Sequence, residues 1–353
     1  MEITMEKLIF AAREMDCSDI HLTVGEPTVL RVRGELIDSG LELSESDIEN
    51  LIYSVTDDKK KKKLNALEDL DFSFESSDGS RQRINIFRQR GKLAASIRIL
   101  QNALPTLEEL NIPQPVIDAL SGNSGIIVIS GPSGSGKTTT LAAMTNYINQ
   151  TRKAHIITVE KPLEYIFKPI NSTIHQREVG VDVTSQAAAL KSAIREDPDV
   201  IIINEINEYD VLAAAMEAAE SGHLIITAVN TSGAAQAMDM LTNIYPGDQQ
   251  LQFRMKFAFN FKAIIGQMLL PAYGGQKRIP INEVLLPTDA VLNLVRQNKG
   301  GHQMLPVMQS GASSGMRTFN LELARLSNAG IITPETALQY TNDKNDLMQY
   351  IKK

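Results

Sequence analysis

Two domains of different architecture are predicted: a small α+β domain over residues 1–100, then, after a linker over 101–121, an α/β domain over 122–353 with a mainly parallel sheet and C-terminal helices. Three observations predict this. Between Leu70 and Ile99 apolar residues alternate strictly with polar ones, the period of strands with one wet face. From Ile126 onward, short runs of Ile, Val and Leu alternate with helical patterns, the order expected of parallel strands covered on both faces. Between the first of those runs and the next helix stands a glycine-rich turn, Gly131-Pro132-Ser133-Gly134-Ser135-Gly136-Lys137-Thr138.

In chain order, Glu2, Glu6 and Glu14 accompany an amphipathic helical pattern whose apolar face is Leu8, Ile9, Ala12 and Met15. Short strands follow at Ile20–Val24 and Val29–Val32, joined by the turn Gly25-Glu26-Pro27. Ser44 with Asp47 reads as a helix N-cap ahead of Ile48, Leu51 and Ile52. A second helix carries Lys59 to Lys63, which reads as a solvated face and receives no catalytic role. Leu70, Phe72 and Phe74, then Ile84 and Ile86, then Ala95, Ile97 and Ile99 form an antiparallel meander. Arg81, Arg83, Arg88, Arg90 and Arg98 lie on or beside it, a density of guanidinium expected of a face turned to an anion. Pro105 and Pro113 bracket the connection, and the later strands are Ile126–Ile129, Ile156–Val159, Val200–Ile203 and Leu224–Val229.

A chain of 353 residues with 43% hydrophobic and 22% charged residues can bury a large core in two domains. Its net charge of −7 argues against a general affinity for nucleic acid or acidic lipid, so any polyanion is bound locally. The single cysteine, Cys17, excludes an intrachain disulfide and a zinc site of paired cysteines, in keeping with a reducing cytoplasm. The acidic start does not have the layout of a signal peptide, and no apolar run reaches membrane-spanning length. We therefore expect a soluble protein without direct membrane insertion, whose membrane role comes through partners.

The turn is the strongest chemical signal. Its glycines let the backbone wrap phosphate oxygens at the start of a helix, where N–H groups and the dipole favour anions. Lys137 brings a charge to the β- and γ-phosphates, and the Thr138 hydroxyl stands where Mg²⁺ needs a ligand. ATP and Mg²⁺ are the expected cofactors. A second carboxylate comes from Asp199-Val200-Ile201-Ile202-Ile203-Asn204-Glu205, a buried strand delivering Glu205 to its C-terminal end, where it can hold Mg²⁺ through water. Glu164 lies just beyond Thr158-Val159-Glu160 and can orient or deprotonate the attacking water, but spacing alone does not separate Glu160 from Glu164. His223, at the entry to an apolar strand, reads on its own as a hydrogen-bonded structural histidine.

These residues resemble the type IV pilus retraction ATPases, PilT-like members of the secretion ATPase superfamily. The resemblance is carried by Ser18-Asp19-Ile20-His21-Leu22, Arg81-Gln82-Arg83-Ile84-Asn85, the continuation Thr138-Thr139-Thr140-Leu141-Ala142-Ala143-Met144, Gln176-Arg177-Glu178-Val179, Arg195-Glu196-Asp197-Pro198-Asp199, Ser221-Gly222-His223-Leu224 and Gly315-Met316-Arg317-Thr318-Phe319. It implies a PAS-like N-terminal domain and a RecA-like ATPase domain assembled as a homo-hexamer. The ring would work at the cytoplasmic face of the inner membrane at the pilus base, with a platform protein and, as an option, a second pilus ATPase as partners. By the same resemblance Glu164 matches the catalytic glutamate of the acidic box, Glu205 that of the second nucleotide motif, and His223 the first histidine of the histidine box. Thr139 continues the nucleotide loop, and Arg83 and Arg98 match strand arginines that reach nucleotide.

The chain departs from the family pattern at four places. Lys161 stands for the aspartate of the acidic box, Asn230 for the second histidine, Asn207 for an arginine, and Leu292 for an arginine associated with retraction. The phosphate machinery is spared, so altered coupling is expected rather than lost binding. Alternatives are an ATP-binding regulatory subunit with weak hydrolysis and a pilus-extension or type II secretion ATPase. The latter is disfavoured by the absence of a four-cysteine motif, and a small-molecule P-loop kinase by the absence of an arginine-rich lid.

Overall fold

The computed structural model describes residues 3–32, 34–100, 104–274, 278–299 and 301–351, and the side chains of all of these except 301 and 302. Glu2 and residues 101–103 of the expected linker lie outside them. The chain divides into two compact units, one of Met1–Ala103 with Pro162–Ile166, the other of Leu104–Lys161 with Phe167–Lys353.

The first unit is built on β1 (Cys17–Leu22), β2 (Pro27–Val32), β3 (Glu35–Glu42), β4 (Leu70–Glu75), β5 (Arg81–Gln89) and β6 (Lys92–Ile99), with α1 (Met5–Glu14), α2 (Glu45–Ser54) and α3 (Asp58–Asn65). The sheet is antiparallel in the order β3-β2-β1-β6-β5-β4. Its dry face carries Ile20, Leu22, Ile84, Ile86 and Ile97, packed with Leu8, Ile9 and Ala12 of α1 and Ile48, Leu51 and Ile52 of α2. Met15, expected on that helical face, is the C-cap of α1 and 47% exposed. Ser44 and Asp47 form the reciprocal capping box that starts α2. Strand β3 was not visible in the sequence, because its residues are mostly exposed and lack strict alternation.

The second unit holds β7 (Gly125–Ser130), β8 (His155–Glu160), β9 (Thr173–Glu178), β10 (Val200–Ile203), β11 (Leu224–Val229), β12 (Phe261–Pro271) and β13 (Arg278–Leu285). Its helices are α4 (Gln114–Leu120), α5 (Lys137–Thr151), α6 (Gln186–Ala193), α7 (Tyr209–Glu220), α8 (Ala234–Ile244), α9 (Gln250–Asn260), α10 (Asp289–Gln297), α11 (Gly301–Ser310), α12 (Phe319–Asn328), α13 (Pro334–Tyr340) and α14 (Lys344–Leu347). The strand order is β13-β12-β7-β11-β10-β8-β9, parallel throughout except that β13 pairs antiparallel with β12. Strands β7, β10 and β11 are buried along their whole length, which is why they read as unbroken apolar runs. From Leu104 the chain already packs into this core, through Leu107, Leu110, Ile112, Val116 and Leu120. Among the described residues no helix is long and apolar enough to cross a membrane.

A buried carboxylate ties the C-terminal helices to this sheet. Glu283 of β13 is 4% exposed and accepts the Ala234 N–H at 2.8 Å in the first turn of α8, and it also takes the Phe319 N–H that starts α12. Burial outweighs both donors and pushes its carboxyl from 4.5 up to about 7. The folded state therefore holds this proton more tightly than the unfolded chain. The resulting stability is fully present below pH 4.5 and is lost as pH rises through about 7. Unfolding followed from pH 5 to 8 is expected to show a loss of at most about 3 kcal/mol from this group, at about 1.4 kcal/mol per pKa unit. Glu283→Gln keeps an acceptor and should flatten that part of the slope; an unchanged slope would remove Glu283 as its source.

Candidate functional site

The parallel strands of the second unit bring their C-terminal ends to one edge. Ser130 of β7 pairs with Val229 of β11, and Ile203 of β10 with Thr227 of β11 and Val159 of β8. The glycine-rich turn leaves β7 at this edge and enters α5. Gly136, its N-cap, has φ 91°, a left-handed conformation that a side chain would strain. A Cβ at Gly131 would stand 2.6 Å from the Gln267 carbonyl oxygen, so close approach demands glycine there. Among the described residues the buried Ser130 and Ser135 hydroxyl oxygens have no hydrogen-bond partner. A loop of glycines with unspent hydroxyls at a helix N-terminus fits the phosphates of a nucleotide.

Lys137 opens α5, and its Nζ donates to the Gly131 and Pro132 carbonyls at 2.6 and 3.1 Å. Burial lowers its pKa, opposed by the charge of Glu205. Glu205 stands just past the end of β10, at the same edge of the sheet, with its backbone carbonyl accepting from Gln186 Nε2 at 3.3 Å. Thr138 and Thr139 follow in the first turn of α5 and are half-buried. Pro132, Ser133 and Gly134 form the exposed crest of the loop.

His223 is not among the residues brought to this edge. It precedes Leu224, which pairs with Gly125 at the start of β7, five strand residues or about 16 Å from Ser130. Its Nδ1 lies 2.8 Å from the Ala218 carbonyl and so donates to the last turn of α7. Strand direction therefore sets His223, expected as a catalytic residue, at the opposite end of β11 from the phosphate loop of the same chain. The residue of that motif at the phosphate edge is Asn230, directly after Val229, whose carbonyl accepts the Gly131 N–H at 3.3 Å.

Glu160 and Glu164 separate by environment. Glu160 ends β8, is 7% exposed, and accepts from Thr158 Oγ1 at 2.7 Å and Gln176 Nε2 at 3.2 Å. Glu164 belongs to the first unit, where Ser73 Oγ donates to the neighbouring Leu163 carbonyl at 2.6 Å. Burial pushes the Glu164 carboxyl up, while Arg83 and Arg98 pull it down and Asp71 pushes it further up.

Register explains that cluster. Ser73, Arg83, Arg98, Asp19 and Arg31 are successive cross-strand partners on β4, β5, β6, β1 and β2, and so share one face of the sheet. Arg83 grips Asp71 with Nε at 3.0 Å and Nη2 at 2.5 Å, and the pair holds its guanidinium charged. Arg98 Nε donates to Asp19 Oδ1 at 3.0 Å. The two arginines and Glu164 are thus together on the wet face of the first unit; Lys137, Thr138 and Glu205 are together in the second.

Comparison with known proteins decides the family. The model of the type II/IV secretion system protein family matches residues 83–273. The type IV pilus retraction ATPase PilT of Pseudomonas aeruginosa is 35% identical over 338 residues, covering 96% of this chain and 97% of that protein. The chain belongs to the PilT-like ATPases of the secretion ATPase superfamily. A twitching motility protein of Neisseria gonorrhoeae is 38% identical over 310 residues, 88% of this chain and 83% of that one. The crystal structure of the pilus retraction motor PilT with bound ADP superposes with a TM-score of 0.89 at 38% identity, covering 99% of this chain and 100% of the other.

In this PilT-like ATPase, sequence reasoning missed Gln267, Thr140, Asp71 and Asp19. Gln267 of β12 bonds the phosphate loop and α5 from below, accepting from Thr140 Oγ1 at 2.7 Å and donating to the Ser135 carbonyl at 2.8 Å. Its one sequence signal is a polar residue inside the apolar run of β12. The two aspartates were signalled by lying on the same strands as the arginines' neighbours, but their pairing follows only from register.

Proposed function

We propose that this chain is an ATP-hydrolysing motor, working as a homo-hexamer, that powers type IV pilus retraction and hence twitching motility. The carrying observation is its likeness along almost its whole length to the pilus retraction motor PilT, with the phosphate loop of that ATPase fold intact. In this reading Gly131, Pro132, Ser133, Gly134, Ser135, Gly136, Lys137, Thr138 and Thr139 hold ATP, and Thr138 with Glu205 holds Mg²⁺. When bound, Mg²⁺ supplies charge neutralisation at the β- and γ-phosphates. Glu164 takes a proton from the attacking water, and Arg83 and Arg98 exchange carboxylate partners for nucleotide, which links the γ-phosphate to movement of the first unit. The ring acts at the cytoplasmic face of the inner membrane at the pilus base, against a platform protein and alongside a second pilus ATPase.

A second reading, an ATP-binding accessory subunit of a pilus motor with weak hydrolysis, is favoured by Asn230. It stands at the phosphate edge where the family pattern has a histidine, and it cannot become a cation. Expression in cells deprived of their retraction ATPases separates the two. Restored twitching is expected for the motor; none, with phosphate release by the purified chain no greater than that of Lys137→Ala, establishes the accessory reading.

A further inference from the structure

We infer that Gln267 is a positioning residue for nucleotide binding, a carboxamide footing from β12 that sets the curvature of the phosphate loop. This rests on the reading of residues 131–138 as the nucleotide site. Gln267 touches the loop in three ways. Its backbone carbonyl occupies the space that a Cβ on Gly131 would need, at 2.6 Å, and its Nε2 the space that a Cβ on Gly136 would need, at 2.8 Å. The first and last turns of the loop are therefore both seated on one residue. The third contact is the pair of hydrogen bonds, Nε2 to the Ser135 carbonyl at 2.8 Å and Thr140 Oγ1 to Oε1 at 2.7 Å.

The chemistry suits a carboxamide alone. Ser135, Thr140 and Gln267 are 4%, 0% and 1% exposed, so water does not replace a missing partner. The Ser135 carbonyl needs a donor and the Thr140 hydroxyl an acceptor, and Gln supplies both from atoms of one planar group. Glutamate loses the donor and brings a carboxylate beneath an anion site; methionine fills the volume but satisfies neither partner. The strand places this group with little freedom, since Gly266 pairs with Ser130, the last residue of β7 before the loop. With the Ser135 carbonyl tied down, the N–H groups that follow it are oriented before a phosphate arrives, which lowers the ordering cost of binding.

The test uses the full-length chain and ADP and ATP as probes. Gln267→Met is expected to raise KM and weaken ADP binding by about tenfold, with a smaller change in kcat, because two buried groups lose their partners. Thr140→Val, which removes one bond, should shift ADP affinity in the same direction by roughly threefold. Adding it to Gln267→Met should cost little more, since both break one unit. A residue that only fills the core would lower the melting temperature while leaving KM and ADP affinity of the folded protein unchanged. Wild-type KM and ADP affinity in Gln267→Met, or fully additive penalties in the double variant, overturn the proposal. If Gln267→Met does not fold, unchanged ADP affinity in Thr140→Val overturns it. Lys137→Ala is the control for the underlying reading: undiminished ADP and ATP binding there places the fault with the nucleotide site itself.

Discussion

Lys137→Ala is expected to lower ATP turnover by about 10²- to 10³-fold, the scale of losing one preorganised charged donor at a reacting phosphate. The ammonium already lies at the site, donating to Gly131 and Pro132 carbonyls, with Glu205 close enough to favour its charge. Those carbonyls are weak partners beside a phosphate, so nucleotide draws the group a short way and gains a charge-assisted bond. Without nucleotide the substitution removes a partly desolvated charge, and the melting temperature should change little. Phosphate release and ADP titration check the first expectation and thermal unfolding the second. Turnover retained within a factor of ten would take Lys137 out of the reaction.

Glu164→Gln should reduce kcat by about 10²- to 10⁴-fold while ATP binding persists, the range for a lost general base. The amide keeps the shape and loses the basic oxygen. Burial raises the Glu164 carboxyl and the two arginines oppose it, leaving it above the ordinary value. A base must be ionised, so the acid limb of kcat/KM is expected at higher pH than for an unperturbed glutamate and should vanish in the variant. Undiminished turnover would transfer the role to another carboxylate, Glu160 first.

What the sequence made legible was local. The phosphate loop declares itself because its glycines, Lys137 and Thr138 act within eight consecutive residues. Strands β7, β8, β10 and β11 were readable because burial on both faces selects unbroken β-branched runs. Edge strand β9 was not, since Thr173, His175 and Arg177 give it no apolar run. Non-local chemistry was hidden for a different reason. Gln267 meets Thr140 across 127 positions and Arg98 meets Asp19 across 79, separations that only sheet order and register close. The placement of His223 was hidden for the same reason: a motif names a residue, but strand direction decides which end of the sheet receives it.

The footing of the phosphate loop on β12 also limits how this protein can be recombined with its relatives. A chimera whose crossover falls between Thr140 and Gln267 would take its loop from one parent and its underlying amide from the other. Such a hybrid keeps every motif intact and still mismatches two buried contacts. Parents that share both residues can be joined there; others are better exchanged at a junction before β7.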